Sequence, residues 1–462
     1  MTTLPKFVLF AALAASTSAS LAHAQAPASG ARTWPTFLPQ RTDSKFGREI
    51  LRILNPVQLR GRVHEEVVDE LVKLGPDASA ALFAFLAGTM EGPQPEVNEA
   101  PVPDTDEPVV LPEVPRDDVI VLDALKRLPP AKTVPAIAAA VLHGNVDVKL
   151  VGLRALGEIG GPRAVDAWID GMTSIEPMHL GRAYLQAPTE EALAKLLERD
   201  SQAFETLATR AKTLEPRILP AVVRSLAASG RAKAIDVMLA LLGRDAALDL
   251  VVLAQVGRLV ESTLGTLPEE KLTWIRPYLT DQDWRIRREA TAALGRAHDY
   301  RSFDAFLAAF DDEQHLVGQT ALWTLRRISG QDFGDDAKAW REWFGAELDW
   351  FETDGVRWMQ GLEDEDPGRV TEAAGELTRH ALFRHEVAHA LLPLLHSPQA
   401  SLASAIAQLL GALGSPAAET ELVRALESEH EAVRKSAWAA LQQLTGKSWP
   451  LDAAAWKTVL QG

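Results

Sequence analysis

Residues His385-Glu386-Val387-Ala388-His389 form the string in this chain with the most definite chemical meaning. Two imidazoles four residues apart fall on one helix face, and a Glu between them can act as general base for a metal-bound water. That is the geometry of a zinc peptidase, with His385 and His389 as metal ligands and Glu386 as base. A third ligand is needed. In the best-defined form of the motif a Gly and a His would follow where Leu392 and Leu395 stand, and His396 comes one place late. Glu419 or Glu421 offers a carboxylate instead. On a helical wheel Phe383, Val387, Ala390, Leu391 and Leu394 make the apolar face, which sends both His side chains toward solvent with no cleft around them. A catalytic zinc site, adventitious surface metal binding and an uninvolved solvent face all remain open from these residues.

A second feature is aromatic. Trp340, Trp343, Phe344, Trp350, Phe351 and Trp358 lie close together, and large rings either stack on sugars or fill a joint between structural units. Trp350 and Trp358 are the candidates for a ligand or partner surface, which makes a carbohydrate or envelope-polymer binding module a further reading. Around them run Glu347, Asp349, Glu352 and Asp354, then Glu363-Asp364-Glu365-Asp366, a field able to attract a basic partner. The spacing lacks the fixed Gly and terminal Glu of a calcium loop. The main basic cluster is Arg285, Arg287 and Arg288, with Arg296 and Arg301 behind. It can pair with an acidic partner segment or be consumed by neighbours such as Asp281 and Asp283.

Composition narrows the classes. The 462 residues carry 47 Lys and Arg against 63 Asp and Glu, a net charge of -16, which argues against a phosphate-backbone binder. Nucleic acid is therefore not an expected partner. Cys is absent, so thiol nucleophiles, Cys-based metal sites and disulfides are excluded. No phosphate-cradling Gly loop, dinucleotide fingerprint or Ser-His-Asp order stands out, and no cofactor is expected. Residues 1–24 read as an export signal: Lys6, the apolar run Phe7 to Ala15, and Ala22-His23-Ala24 before Gln25. The apolar run is too short to span a bilayer, and no later stretch reaches the ~20 apolar residues of a membrane helix. The expectation is an exported chain, periplasmic first and extracellular second.

The elements that must position these residues are helices. Residues 25–44 read as a flexible lead-in and 45–90 as a helical hairpin broken at Gly75-Pro76. Residues 91–116, with seven prolines and seven acidic residues, read as a linker or insert. From Asp117 to the C-terminus apolar residues recur with helical period, and the class is all-α. Within 117–462 the chain copies itself without a gap: Pro277–Phe344 lies over Pro393–Leu460, an offset of 116, with fourteen identities. Among these are Leu294/Leu410, Gly295/Gly411, Val317/Val433, Gly330/Gly446, Asp336/Asp452 and Trp340/Trp456. A shorter period of 31 relates Ile286 to Val317 and Leu402 to Val433, the spacing of stacked helical hairpins. In the earlier copy the string 385–389 is Glu269-Glu270-Lys271-Leu272-Thr273, which makes it a variation on a repeated helix.

The recurring order of Asp or Asn, Val/Ile-Arg/Lys, and Ala-rich turns ending in Leu-Gly resembles HEAT repeats, in particular the HEAT-like group. The matching positions are Asn145/Lys149, Asp283/Arg287 and Val433/Arg434, with Gly318 and Ala403 in the basic position of two other units. The resemblance implies an α-solenoid, a superhelix of antiparallel hairpins in which the acidic or amide residue caps a helix and the basic residue joins a polar ladder between units. It also implies a curved surface for a protein partner along the inner helices, where Lys149, Arg287 and Arg434 would lie. The lyase activity of some HEAT-like relatives, on bilin pigments, has no residue set here to carry it. The reading is a non-catalytic protein-interaction scaffold of the bacterial envelope.

Overall fold

Ala, Leu and Val repeating three and four apart give each segment an apolar stripe that must be buried. Gly, Pro and Asp at the stripe ends then set where each helix stops. The computed structural model describes residues 45–88 and 117–461, apart from 56–58, 60, 181 and 264, and contains no strand among them. The expected signal, the lead-in and the acidic linker lie outside the described residues. Helices α1 (Lys45–Ile53), α2 (His64–Val72) and α3 (Ser79–Leu86) come first; α1 was not legible in the sequence. Then follow α4 (Asp117–Arg127), α5 (Pro130–His143), α6 (Val146–Ile159), α7 (Pro162–Thr173), α8 (Ala183–Arg199), α9 (Ser201–Arg210), α10 (Leu219–Ala228), α11 (Ala234–Leu239) and α12 (Ala246–Thr263).

The copied blocks are α13 (Glu269–Ile275), α14 (Trp284–Arg296), α15 (Phe303–Ala308), α16 (His315–Ser329) and α17 (Ala337–Trp350), and then α20 (Arg384–Leu391), α21 (Ala400–Leu413), α22 (Glu419–Ala425), α23 (Glu431–Thr445) and α24 (Ala453–Gln461). Between them lie α18 (Val356–Gly361) and α19 (Pro367–Leu377). The copy holds element by element: α16 and α23 have the same length and end on Gly330 and Gly446, with φ of 72° and 67°. These left-handed caps suit Gly because it has no Cβ to clash.

Alternate helices pack in a continuous row from α2 and α4 through α6, α8, α10, α12 and α14 to α16, and a second row runs α19, α21, α23. Close approach along a row needs small residues. A Cβ on Gly411 would lie 2.8 Å from Cα of Ala440 on the next helix, and one on Gly295 would lie 2.6 Å from Oγ1 of Thr324. The segment 172–212, which departs from the repeat consensus, still supplies α8 and α9 to the array.

The rows are fastened by polar groups as the resemblance implied, and also by a device it did not. Asn145 and Asp283 cap α6 and α14 by accepting from the amides of Val148 and Arg285, both at 2.9 Å. In addition, arginines from one unit donate to the last carbonyls of a helix in another. Arg199 reaches Gly157 and Glu158, Arg231 reaches Glu198, Arg217 reaches Thr173 and, just past the helix end, Ile175, and Arg384 reaches Arg327 and Ile328. A guanidinium there satisfies orphan carbonyls at the negative end of the helix dipole.

Between the blocks α17 continues through a π turn, Phe351–Gly355, into α18, and α19 packs back against α18. The aromatic residues are the joint. Phe344 stacks on Phe303 at 3.9 Å, Phe351 on Phe383 at 3.9 Å, and Trp350 on His380, which also bonds Glu347 at 3.0 Å.

Candidate binding cleft between the repeat blocks

The structure pulls the two His residues of 385–389 apart. His389 is exposed, whereas His385 is only 6% exposed, against the expectation that both would face water. The wheel assumed one buried face, but α20 sits at the joint and its other side is covered by the turns at 265 and 414–416. His385 Nδ1 shares a 2.9 Å hydrogen bond with Ser415 Oγ, and its ring meets that of His298 edge-on at 4.8 Å. Burial first, then Arg384 and His389, push the His385 imidazole down to about 4. Glu386 accepts from Tyr300 through Oε1 at 3.2 Å, while its buried Oε2 has no hydrogen-bond partner among the described residues. Glu421 accepts from His396 and Arg424. No three His, Asp or Glu side chains converge as a metal site among the described residues.

The basic candidates act as fasteners. Lys149 is 7% exposed and donates to the carbonyls of Leu142 and Ser174 and to Ser174 Oγ. Burial lowers its ammonium below the usual lysine range. Arg287 grips both carboxylate oxygens of Asp312 at 2.7 and 2.8 Å and donates to the carbonyls of Asp281 and Gln282; Arg434 donates to those of Ser428 and Glu429 in the same manner. Of the sequence-level basic cluster, Arg285 pairs with Asp283, Arg288 with Glu289 and Arg301 with Glu269. Trp350 and Trp358 are half-buried against the C-terminal core, and Arg357 lies over the Trp358 ring.

What the fold does assemble is a cleft of about 590 Å³ where the C-terminal ends of α12, α14 and α16 meet the start of α20 and the turns at Gly414 and Pro416. Arg296, Arg326, Arg327 and Arg384 line it, with Trp323, His298 and His385. Arg296 and Arg327 both lie over the Trp323 ring, at 5.2 and 5.5 Å from its centroid, and both hold the carboxylate of Glu261. Arg326 pairs with Asp332 at the rim. Arg384 has helix carbonyls but no carboxylate partner among the described residues, and burial followed by Arg327 lowers its guanidinium from the usual value.

His298 closes the floor. It is the one non-Gly residue with positive φ among the described residues, at 56°, and its copy across the offset is Gly414 at 69°. Its Nε2 donates to the Leu382 carbonyl at 2.8 Å, pinning one block to the other. Burial, then Arg384 and His385, hold it well below the ordinary imidazole value.

Sequence reasoning named Arg296 and missed Trp323, Arg326, Arg327, Arg384 and His298. The available signal was the copy itself, which places His298 over Gly414, Arg326 over Gln442 and Arg327 over Gln443.

This architecture is an α-solenoid of stacked hairpins. Residues 388–455 match the family model described as HEAT repeats. No curated protein matches it. Among solved structures it is similar to karyopherin Kap121p bound to the extreme C-terminus of the protein phosphatase Cdc14p, with 13% identity over 86% of this chain and 45% of that one and a TM-score of 0.36. An engineered protein has 17% identity, over 87% of this chain and 100% of that one, with a TM-score of 0.27. Human deoxyhypusine hydroxylase in complex with glycerol has 15% identity, over 68% and 96%, with a TM-score of 0.21. The chain spans less than half the length of the karyopherin.

Proposed function

We propose that this chain is a non-catalytic protein-interaction scaffold of the bacterial envelope, exported by its N-terminal signal and binding a partner protein along the repeat surface. The observation that carries the reading is the use made of the ionisable groups. Lys149 and Arg287 tie units together, Arg434 is held by the turn before its own helix, the 385–389 string is split between a buried and an exposed imidazole, and the cleft at the block joint is left open and lined with binding groups. Stacked hairpins present such a surface without any unit having to move. Among the described residues no helix is long and apolar enough to cross a membrane.

The test is capture. Mature chain carrying a cross-linker is incubated with envelope extract and its cross-linked peptides are read by mass spectrometry. A reproducible protein partner cross-linked to the repeat surface is expected; recovery of glycan alone, or of nothing, counts against the scaffold. The peptidase alternative is tested separately by metal analysis of purified protein. Stoichiometric zinc, with an activity lost on Glu386→Gln, would replace the scaffold reading by an enzymatic one.

A further inference from the structure

Four guanidiniums converge on the cleft (Arg296, Arg326, Arg327 and Arg384), and among the described residues the carboxylates paired with them are two, Glu261 and Asp332. With its two imidazoles neutral, the site keeps an excess of positive charge in a chain whose net charge is -16. The excess sits beside an aromatic plate, since Trp323 is 38% exposed. Glu261 shows how the site treats an acid: one carboxylate lies against two guanidiniums that themselves stack on an indole. Arg forks bind carboxylates through paired charge-assisted hydrogen bonds, and a concave wall raises the local concentration of the oppositely charged ligand.

We propose that this cleft seats an acidic segment of the partner protein, Asp and Glu side chains engaging Arg326, Arg384 and the outer edges of Arg296 and Arg327 while an apolar side chain of the same segment lies on Trp323. The inference rests on the scaffold reading and adds the chemistry of its partner. The lining comes from α12, α14, α16 and α20, so it exists only when both copied blocks are folded and pinned together at His298 and Leu382. A volume of about 590 Å³ admits a few side chains, which fits a short peptide stretch better than a domain surface.

The probe is a short fluorescein-labelled peptide of alternating Glu and Asp around one Phe, titrated with the full mature chain and followed by anisotropy. Saturable binding that weakens as salt rises is expected, with no binding of the Lys counterpart. Arg326→Glu should weaken the peptide by about tenfold or more, Trp323→Ala by a smaller factor, and Arg285→Glu, outside the cleft, should change nothing. Arg326 and Trp323 are partly exposed, and thermal melts of each variant establish that it folds; a variant that melts early is replaced by Arg326→Gln. Equal binding by wild type and Arg326→Glu overturns the proposal, as does equally tight binding of a single-stranded oligonucleotide, which would mark a generic anion site. If the peptide fails to bind while wild type and Arg326→Glu capture the same envelope protein equally, the acidic-segment inference falls and the scaffold stands. If wild type captures no protein, the scaffold reading itself falls.

Discussion

His298 holds a backbone conformation that costs an ordinary residue about 1–2 kcal/mol, at a position its copy fills with Gly414. The offset comes from a buried hydrogen bond to Leu382 and an edge-on contact with His385, both across the block joint. Both imidazoles are held neutral by burial first and then by the Arg384 guanidinium beside them. Their folded pKa values lie below the unfolded value, so the unfolded chain binds more protons as pH falls. The stability they contribute is complete above about 6.5 and is lost as pH drops toward 4, by about 3 kcal/mol for His385 alone. Thermal melts at pH 7.5 and 4.5 should differ more for wild type than for the His298→Asn/His385→Asn variant; equal slopes would show that other groups govern the acid response. At the same scale, Trp340 and Trp456 are fully buried, and each indole N–H reaches a carbonyl six residues earlier, Gly334 at 2.9 Å and Pro450 at 3.0 Å. Trp456→Phe leaves that carbonyl unpaired and the site underfilled, and should cost about 1–3 kcal/mol in denaturant melts. The Trp pair was legible because both copies keep it. His298 was not, because its partner lies 84 residues away and its copy is a Gly.

At the scale of the helix, one residue type has opposite values in two places. Gly411 in α21 faces Ala440 of α23 so closely that a Cβ must displace backbone, and Gly411→Ala should cost about 1–3 kcal/mol. Gly375 in α19 has nothing within 4 Å of where its Cβ would be, and Gly375→Ala should stabilise by about 0.5–1 kcal/mol through helix propensity. Chemical denaturation of the two variants reads both signs, and a stable Gly411→Ala would mean that the rows can spread. Helix existence and the repeat period were readable because each helix hides one stripe, a property of local sequence. Which helices hide a second face was not. α20 repeats α13 in position, yet His385 is buried by the Gly265 turn and by Ser415, contacts set by how one block meets the other. Likewise the arginines that cap helix ends in other units, such as Arg199 and Arg384, look in sequence like ordinary surface charge.

For the whole molecule, a stack of hairpins divides stability between each unit and its neighbours, so damage at one end should decay with distance along the chain. Helix α24 covers the last core through Ala453 and Trp456, which pack into the cluster running from Leu362 to Leu441. A chain ending at Gly446 exposes that apolar surface while leaving the N-terminal core, built from α1 to α4, untouched. Hydrogen exchange on this truncated chain should show α21 and α23 losing protection most and α2 and α4 keeping theirs, with α14 and α16 intermediate because Arg384, His385 and Leu382 reach them across the joint. The intermediate zone is the informative one. If protection in α14 and α16 falls with that in α21 and α23, the two blocks open as one cooperative unit and the cleft between them forms and vanishes with it. If α14 and α16 keep full protection while the second block opens, the pin at His298 contributes nothing, and the cleft is a contact between two independent bodies.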